Sequence, residues 1–152
     1  MDPLVCSCGP GDALHPFLLN GLCMARSPTM KAIVLFAHGS RDPLWHGPIK
    51  AIATRIKEMS TDLEVRCAYL ELTEPTLMQT TAELSKLGCT QLHITPLFLG
   101  VGKHAREDLP LLVQELKQSY PLIEITCAPS IGEDARIIDA VAKVSLNPLS
   151  QS

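Results

Sequence analysis

Two short runs hold the side chains best suited to chemistry. The first is Ala37-His38-Gly39-Ser40-Arg41-Asp42, and the second is Leu97-Phe98-Leu99-Gly100-Val101-Gly102-Lys103-His104-Ala105-Arg106-Glu107-Asp108. Each follows an apolar stretch and sets a histidine close to glycine and basic residues. Imidazole is the commonest ligand for borderline divalent metals, and it is also a base that titrates near neutrality. A single histidine at a strand end is ordinarily a helix cap or a hydrogen-bonded structural residue. Two of the chain's five, His38 and His104, in matching surroundings raise the case for a shared site. Arg41, Lys103 and Arg106, with the N–H groups of nearby helix starts, suit an anionic ligand. Glu71, at the end of another apolar run, is a candidate proton acceptor or ligand; its plain reading is a helix-start charge or a solvated carboxylate.

Other features carry less. His93 lies inside a strand and reads as a satisfied interior or edge residue. His46 falls one to two turns into a helix and could approach the site, although a solvated face is the favoured reading; His15 belongs to an irregular N-terminal segment. Gly100-Val101-Gly102-Lys103-His104 imitates the end of a phosphate-binding loop, but Leu97 stands where the first glycine belongs and His104 replaces Ser or Thr. No G-x-G-x-x-G follows the first strand. Ser40 beside His38 mimics a nucleophile and its base, yet adjacent residues rarely face each other for that role. Among six cysteines there is no C-x-x-C pair, so spacing does not support a zinc or iron–sulfur site. Cys67, Cys89 and Cys127 sit in apolar elements as small hydrophobes, which fits a reducing, cytoplasmic setting.

These residues need a scaffold, and the pattern supplies one. Ile33-Val34-Leu35-Phe36-Ala37 is a short continuous apolar run of the kind found in parallel strands covered on both faces. Asp42-Pro43 offers an N-cap with proline at the first helical position, and Ile49, Ile52, Ala53 and Ile56 follow at helical spacing. Residues 64–70 read as a second strand. Thr73-Glu74-Pro75 opens a second helix with Leu77, Thr81 and Leu84 on one face and Gly88 as its stop. A third strand runs from Leu92 to Leu99. Leu109, Leu112, Val113 and Leu116 stripe a third helix, in which Pro110 is tolerated as a first-turn residue. Ile123 to Cys127 is a fourth strand, and Ile137, Ile138, Val141 and Val144 mark a final helix. The expected fold is α/β: a four-stranded parallel sheet flanked by helices with right-handed crossovers. Ligands of such sheets sit outside the carboxyl ends of the strands, which is where His38, Glu71 and His104 fall.

The chain has 152 residues, 46% hydrophobic and 19% charged, which bounds it to one globular domain of ordinary composition. A formal net charge of −3 and 4% aromatics argue against nucleic acid as a partner. No apolar run reaches the roughly 18–20 residues of a membrane-spanning helix, so no membrane partner is expected. Residues 1–29 carry scattered proline and glycine without a period. They read as a disordered extension, or as sequence ahead of a start at Met24 or Met30, and not as a secretory signal. The domain is placed at 30–148, with a short tail at 149–152.

The segments "LFAHGSRDP", "PLFLGVGKHAREDLP" and "APSIGEDARI" resemble the small, single-repeat form of the CbiX-type sirohydrochlorin chelatases, among the class II tetrapyrrole chelatases. The resemblance covers about residues 30–145, and its specificity lies in H-G-S-R and G-x-H-x-x-x-D-L-P occurring in this order. It implies half of a class II chelatase fold, pairing as a homodimer around a sirohydrochlorin-type tetrapyrrole. The implied reaction is insertion of cobalt or ferrous iron, with nickel also compatible with imidazole, without nucleotide hydrolysis or a cofactor beyond the metal substrate. It assigns metal binding and proton acceptance to His38 and His104. Substrate contacts fall on Ser40, Arg41, Leu99, Gly100, Val101, Gly102, Lys103 and Arg106, with Glu71 as an auxiliary catalytic residue. Many relatives carry a further His-rich segment, and this chain has none. Two other readings share these residues: a carrier that binds metal or tetrapyrrole without catalysis, and a flavodoxin-like phosphate or nucleotide binder.

Overall fold

The computed structural model describes residues 29–147, with the side chains of Lys103, His104 and Ala105 excluded. The expectations for 1–28 and for the tail lie outside the described residues. Four strands, β1 (Met30–Ala37), β2 (Leu63–Tyr69), β3 (Cys89–Pro96) and β4 (Glu124–Cys127), form one parallel sheet in the order β2-β1-β3-β4. Four helices alternate with them: α1 (Gly47–Met59), α2 (Leu77–Lys86), α3 (Lys103–Ser119) and α4 (Ala135–Leu146). The expected α/β fold is therefore present.

Alternation along β1 explains why the sheet can be covered on both sides. Ala32, Val34 and Phe36 point into a core with Leu77 and Leu84 of α2 and Val113 and Leu116 of α3. Leu35 and Ala37 point the other way, into a smaller core with Ile49 of α1 and with Val65 and Tyr69 of β2. The chain leaves β1 toward β2 on one side and returns to β3 on the other. The strand order thus reverses between β1 and β3, the place where open α/β sheets leave a crevice at their carboxyl edge.

Several local readings need correction. Asp42 does cap, accepting from the Leu44 N–H at 2.9 Å, but it opens a 3-10 turn over Pro43–His46, and α1 starts only at Gly47. Thr76, not Thr73, caps α2: it forms a capping box with Gln79, worth about 1 kcal/mol, because this pair meets both free N–H groups at once. The third strand is Cys89–Pro96, three residues earlier than the 92–99 expected, so the loop beyond it begins at Leu97. Pro110 is inside α3 and not in its first turn, because the helix already begins at Lys103. Lys103, His104 and Arg106 therefore belong to a helix start and not to a loop. Gly88 ends α2 with φ +85 as expected.

The apolar stripe of α4 is also not buried in the core. Ile138, Val141 and Val144 are exposed, and the helix's main contacts are with the 3-10 turn Ile131–Glu133 just before it. The β3–β4 half of one sheet face is correspondingly open, with Gln91, His93, Glu124 and Thr126 exposed. Helical periodicity reports that a face is apolar; it does not report what covers it.

Asp134 caps α4 through the Arg136 N–H and pairs with the Arg136 side chain. Hydrogen bonds from Arg136 bring the Asp134 carboxyl down from 3.8 to about 2. A depressed carboxylate contributes its cap in full above the ordinary value and loses it as pH falls through about 2. An NMR titration of the Asp134 carboxyl is expected to find its midpoint near pH 2, and a midpoint at the ordinary aspartate value would refute the capped pair.

Candidate active site at the strand ends

The carboxyl edge of the sheet is assembled chiefly by backbone. After β1 and β2 the two chains stay bonded one step beyond the strands: the Leu70 N–H donates to the Ala37 carbonyl at 2.8 Å and the Glu71 N–H to the His38 carbonyl at 2.9 Å. Gly39 follows with φ +98, and a Cβ there would sit 2.1 Å from the Glu71 carbonyl oxygen. Only glycine serves at that point, since both the backbone angle and the space exclude a side chain. On the other side of β1, the Leu97 N–H donates to the Phe36 carbonyl at 2.7 Å. The turn after β4 closes on the β3 loop through Gly132, whose N–H donates to the Phe98 carbonyl and whose Cβ position lies 1.9 Å from the Leu99 carbonyl oxygen.

On this frame His38 is exposed, and its ring rests on Phe98 with centroids 4.4 Å apart. Phe98 is buried and packs edge-on against Phe36, so a rigid aromatic pair supports the imidazole from below. His104 lies in the first turn of α3, the helix that follows β3; its side chain, like that of Lys103, is outside the described residues. Gly102 is the N-cap of α3, with extended backbone and open space around its Cβ position, as at Gly100. Leu99 is 71% exposed and, with Gly132, Ile137, Ile138, Val141 and Ala142, lines an apolar groove of about 320 Å³.

The polar residues divide. Arg41 is exposed and, among the described residues, makes no side-chain hydrogen bond or ion pair. Glu71 is also exposed and unpaired among them, while its backbone holds His38. Arg106 turns back to donate to the Val101 carbonyl at 3.2 Å, so part of its fork shapes the loop. The Ser40 hydroxyl accepts from the Asp42 N–H at 3.1 Å in a local turn. His46 departs from expectation. It is not on a solvated helix face: it ends the 3-10 turn, is partly buried, and bonds through Nε2 to the Ser40 carbonyl at 3.0 Å. His93 is satisfied, with Nδ1 2.8 Å from the Thr126 hydroxyl, but it stands on the open sheet face and not in an interior.

Burial pushes the Cys67, Cys89 and Cys127 thiols up, which keeps them protonated and poor as metal ligands. Phe98 and Gly132 are parts of the site that residue chemistry alone does not flag. The only sign of Gly132 is its place in the "APSIGEDARI" run, and Phe98 reads as one more residue of the expected 92–99 strand.

The family model described as CbiX matches residues 32–146. This chain belongs to the CbiX family. A sirohydrochlorin ferrochelatase from Priestia megaterium is 32% identical over 117 residues, covering 75% of this chain and 43% of the relative. A sirohydrochlorin cobaltochelatase from Methanopyrus kandleri is 32% identical over 84 residues, 55% of this chain and 59% of the relative. The chain thus spans about half the length of these curated relatives. A crystal structure of a CbiX protein from Marinobacter aquaeolei, described as a cobalamin biosynthesis protein, superposes with a TM-score of 0.69 at 31% identity, covering 80% of this chain and 99% of that one. Among the described residues no helix is long and apolar enough to cross a membrane.

The glycines sort by the space around them. Gly39→Ala and Gly132→Ala are each expected to cost about 2–3 kcal/mol in urea unfolding, since a backbone oxygen occupies the new methyl's place. Gly102→Val meets open space and is expected to cost less, about 1 kcal/mol from a poorer N-cap, while weakening ligand capture. Equal stability of all three variants would contradict the close approaches described.

Proposed function

We propose that this chain inserts a divalent metal, cobalt or ferrous iron, into sirohydrochlorin. The observation that carries the reading is His38: an exposed imidazole with a fixed backbone and a ring seated on Phe98, at the crevice that α3 enters with His104 in its first turn. Metallation must strip water from the ion and remove the pyrrole N–H protons. A neutral imidazole can hold the ion weakly and a second base can take a proton as the ion moves. Ligation by His38 and His104 alone would suit an ion that must leave again, since a closed four-ligand shell holds it too well.

Sirohydrochlorin is flat and rich in carboxylates. The exposed Leu99 side chain would meet its ring, and Gly100, Val101 and Gly102 would let backbone come close. Arg41, Lys103 and Arg106, with the N-terminus of α3 and the Ser40 turn, would hold its carboxylates. Glu71 would be an auxiliary proton acceptor at the rim. No cofactor beyond the metal substrate is needed. The setting we infer is the cytoplasm, whose reducing conditions suit the free thiols Cys67, Cys89 and Cys127.

The partner we infer is a second copy. The match covers 43% of the Priestia megaterium relative, which is therefore the longer protein, and α4 exposes Ile138, Val141 and Val144 on one stripe. Burying such a stripe is the ordinary reason two copies associate. Sedimentation of the parent is expected to give a dimer and Val141→Glu a monomer; a monomeric parent would remove this part of the reading.

Insertion is followed spectroscopically with sirohydrochlorin and cobalt, ferrous or nickel ions in parallel. His38→Ala is expected to slow it by at least about a hundredfold with the fold intact, the usual loss on removing a catalytic base. Unchanged turnover would eliminate the mechanism, and binding without any accelerated spectral change in the parent would mark a carrier.

A further inference from the structure

His46 sits six residues beyond Ser40, outside the loop that holds His38, yet it reaches back into it. Its Nε2 is 3.0 Å from the Ser40 carbonyl oxygen. A carbonyl only accepts, so Nε2 carries the proton. The other ring nitrogen, Nδ1, is buried without a hydrogen-bond partner among the described residues, which leaves the Ser40 bond as the ring's one polar anchor. The ring is clamped edge-on against Tyr69, centroids 4.9 Å apart, with Trp45 on another side at 5.4 Å. Tyr69 ends β2, is buried, and lies under the Cβ position of Gly39.

The 38–40 turn is therefore held from two directions. Backbone bonds to Leu70 and Glu71 fix its near end at Ala37 and His38, and His46 fixes its far end at Ser40. The only other side-chain bonds to residues 38–42 come from Ser40 and Asp42 themselves, so His46 is the one side chain reaching in from beyond among the described residues. Among the described residues the His38 ring has one ring contact, Phe98, and its direction depends on a backbone that cannot rock.

We propose that His46 is a positioning residue: by donating from Nε2 to the Ser40 carbonyl it holds the loop that aims His38 into the crevice. Its effect on turnover rests on the chelatase reading; its effect on the loop does not. A glutamine at this position places an amide N–H about where Nε2 stands, whereas phenylalanine keeps the ring and removes the donor.

The test compares His46→Phe and His46→Gln in the full chain by two readouts. In amide hydrogen exchange, His46→Phe is expected to speed Leu70 and Glu71 about tenfold while Ala128, bonded to Ile94 on the far side of the sheet, keeps its rate. His46→Gln is expected to restore all three. In cobalt insertion, His46→Phe is expected to lower kcat about tenfold with KM for sirohydrochlorin within about twofold, and His46→Gln to recover most of the loss. Unchanged exchange at Leu70 and Glu71 in His46→Phe, or exchange raised equally at Ala128, would overturn the proposal. Altered exchange with no insertion by the parent protein would uphold the positioning role and remove the chelatase reading instead. Should His46→Phe fail to fold, the tautomer decides: nitrogen-15 shifts of His46 in the parent are expected to show Nε2–H, and Nδ1–H would overturn the proposal.

Discussion

The contact on which the site depends is between two backbones: Gly39, at a φ of +98, lies against the Glu71 carbonyl while Glu71 donates to His38. That contact carries strand pairing past the ends of β1 and β2 and fixes where the chain turns. A side chain at Gly39 would push the loops apart, and His38 would lose its seat on Phe98. The imidazole is exposed, so burial of its own ring cannot hold it; the order has to come from the main chain beneath it.

Topology does the rest. With β1 and β3 adjacent but leading to opposite sides, the loops after them border one crevice. The same arrangement brings α3 in with its N-terminus facing that crevice, a natural seat for anionic groups. Gly132 closes the far wall by letting the turn after β4 touch the Leu99 carbonyl. Two tight glycines and two free ones thus have separate tasks: Gly39 and Gly132 allow protein backbone to meet protein backbone, and Gly100 and Gly102 leave room for something else.

Much of this is legible in the residues. The strands are readable because apolar runs covered on both faces leave a continuous signal, as in Val34-Leu35-Phe36-Ala37. His38 and His104 stand out by type and by their place beside glycine and cations. What is not legible has physical reasons. Pro110 suggests a helix start because proline belongs in first turns, yet α3 begins seven residues earlier and tolerates it. His46 falls in a 3-10 turn, where a helical wheel has no meaning, and its partner is a carbonyl that no side-chain pattern reveals. The α4 stripe is plain in sequence, but its period does not say what, if anything, lies against it.

The central claim is that His38 and His104 meet the same ion. Substoichiometric Co²⁺ added to the protein broadens proton resonances near the bound ion, and histidine ring protons report it residue by residue. Broadening centred on the rings of His38 and His104 together is the expected result. Broadening centred on His93 or His46, with the His38 ring left sharp, would contradict the assignment.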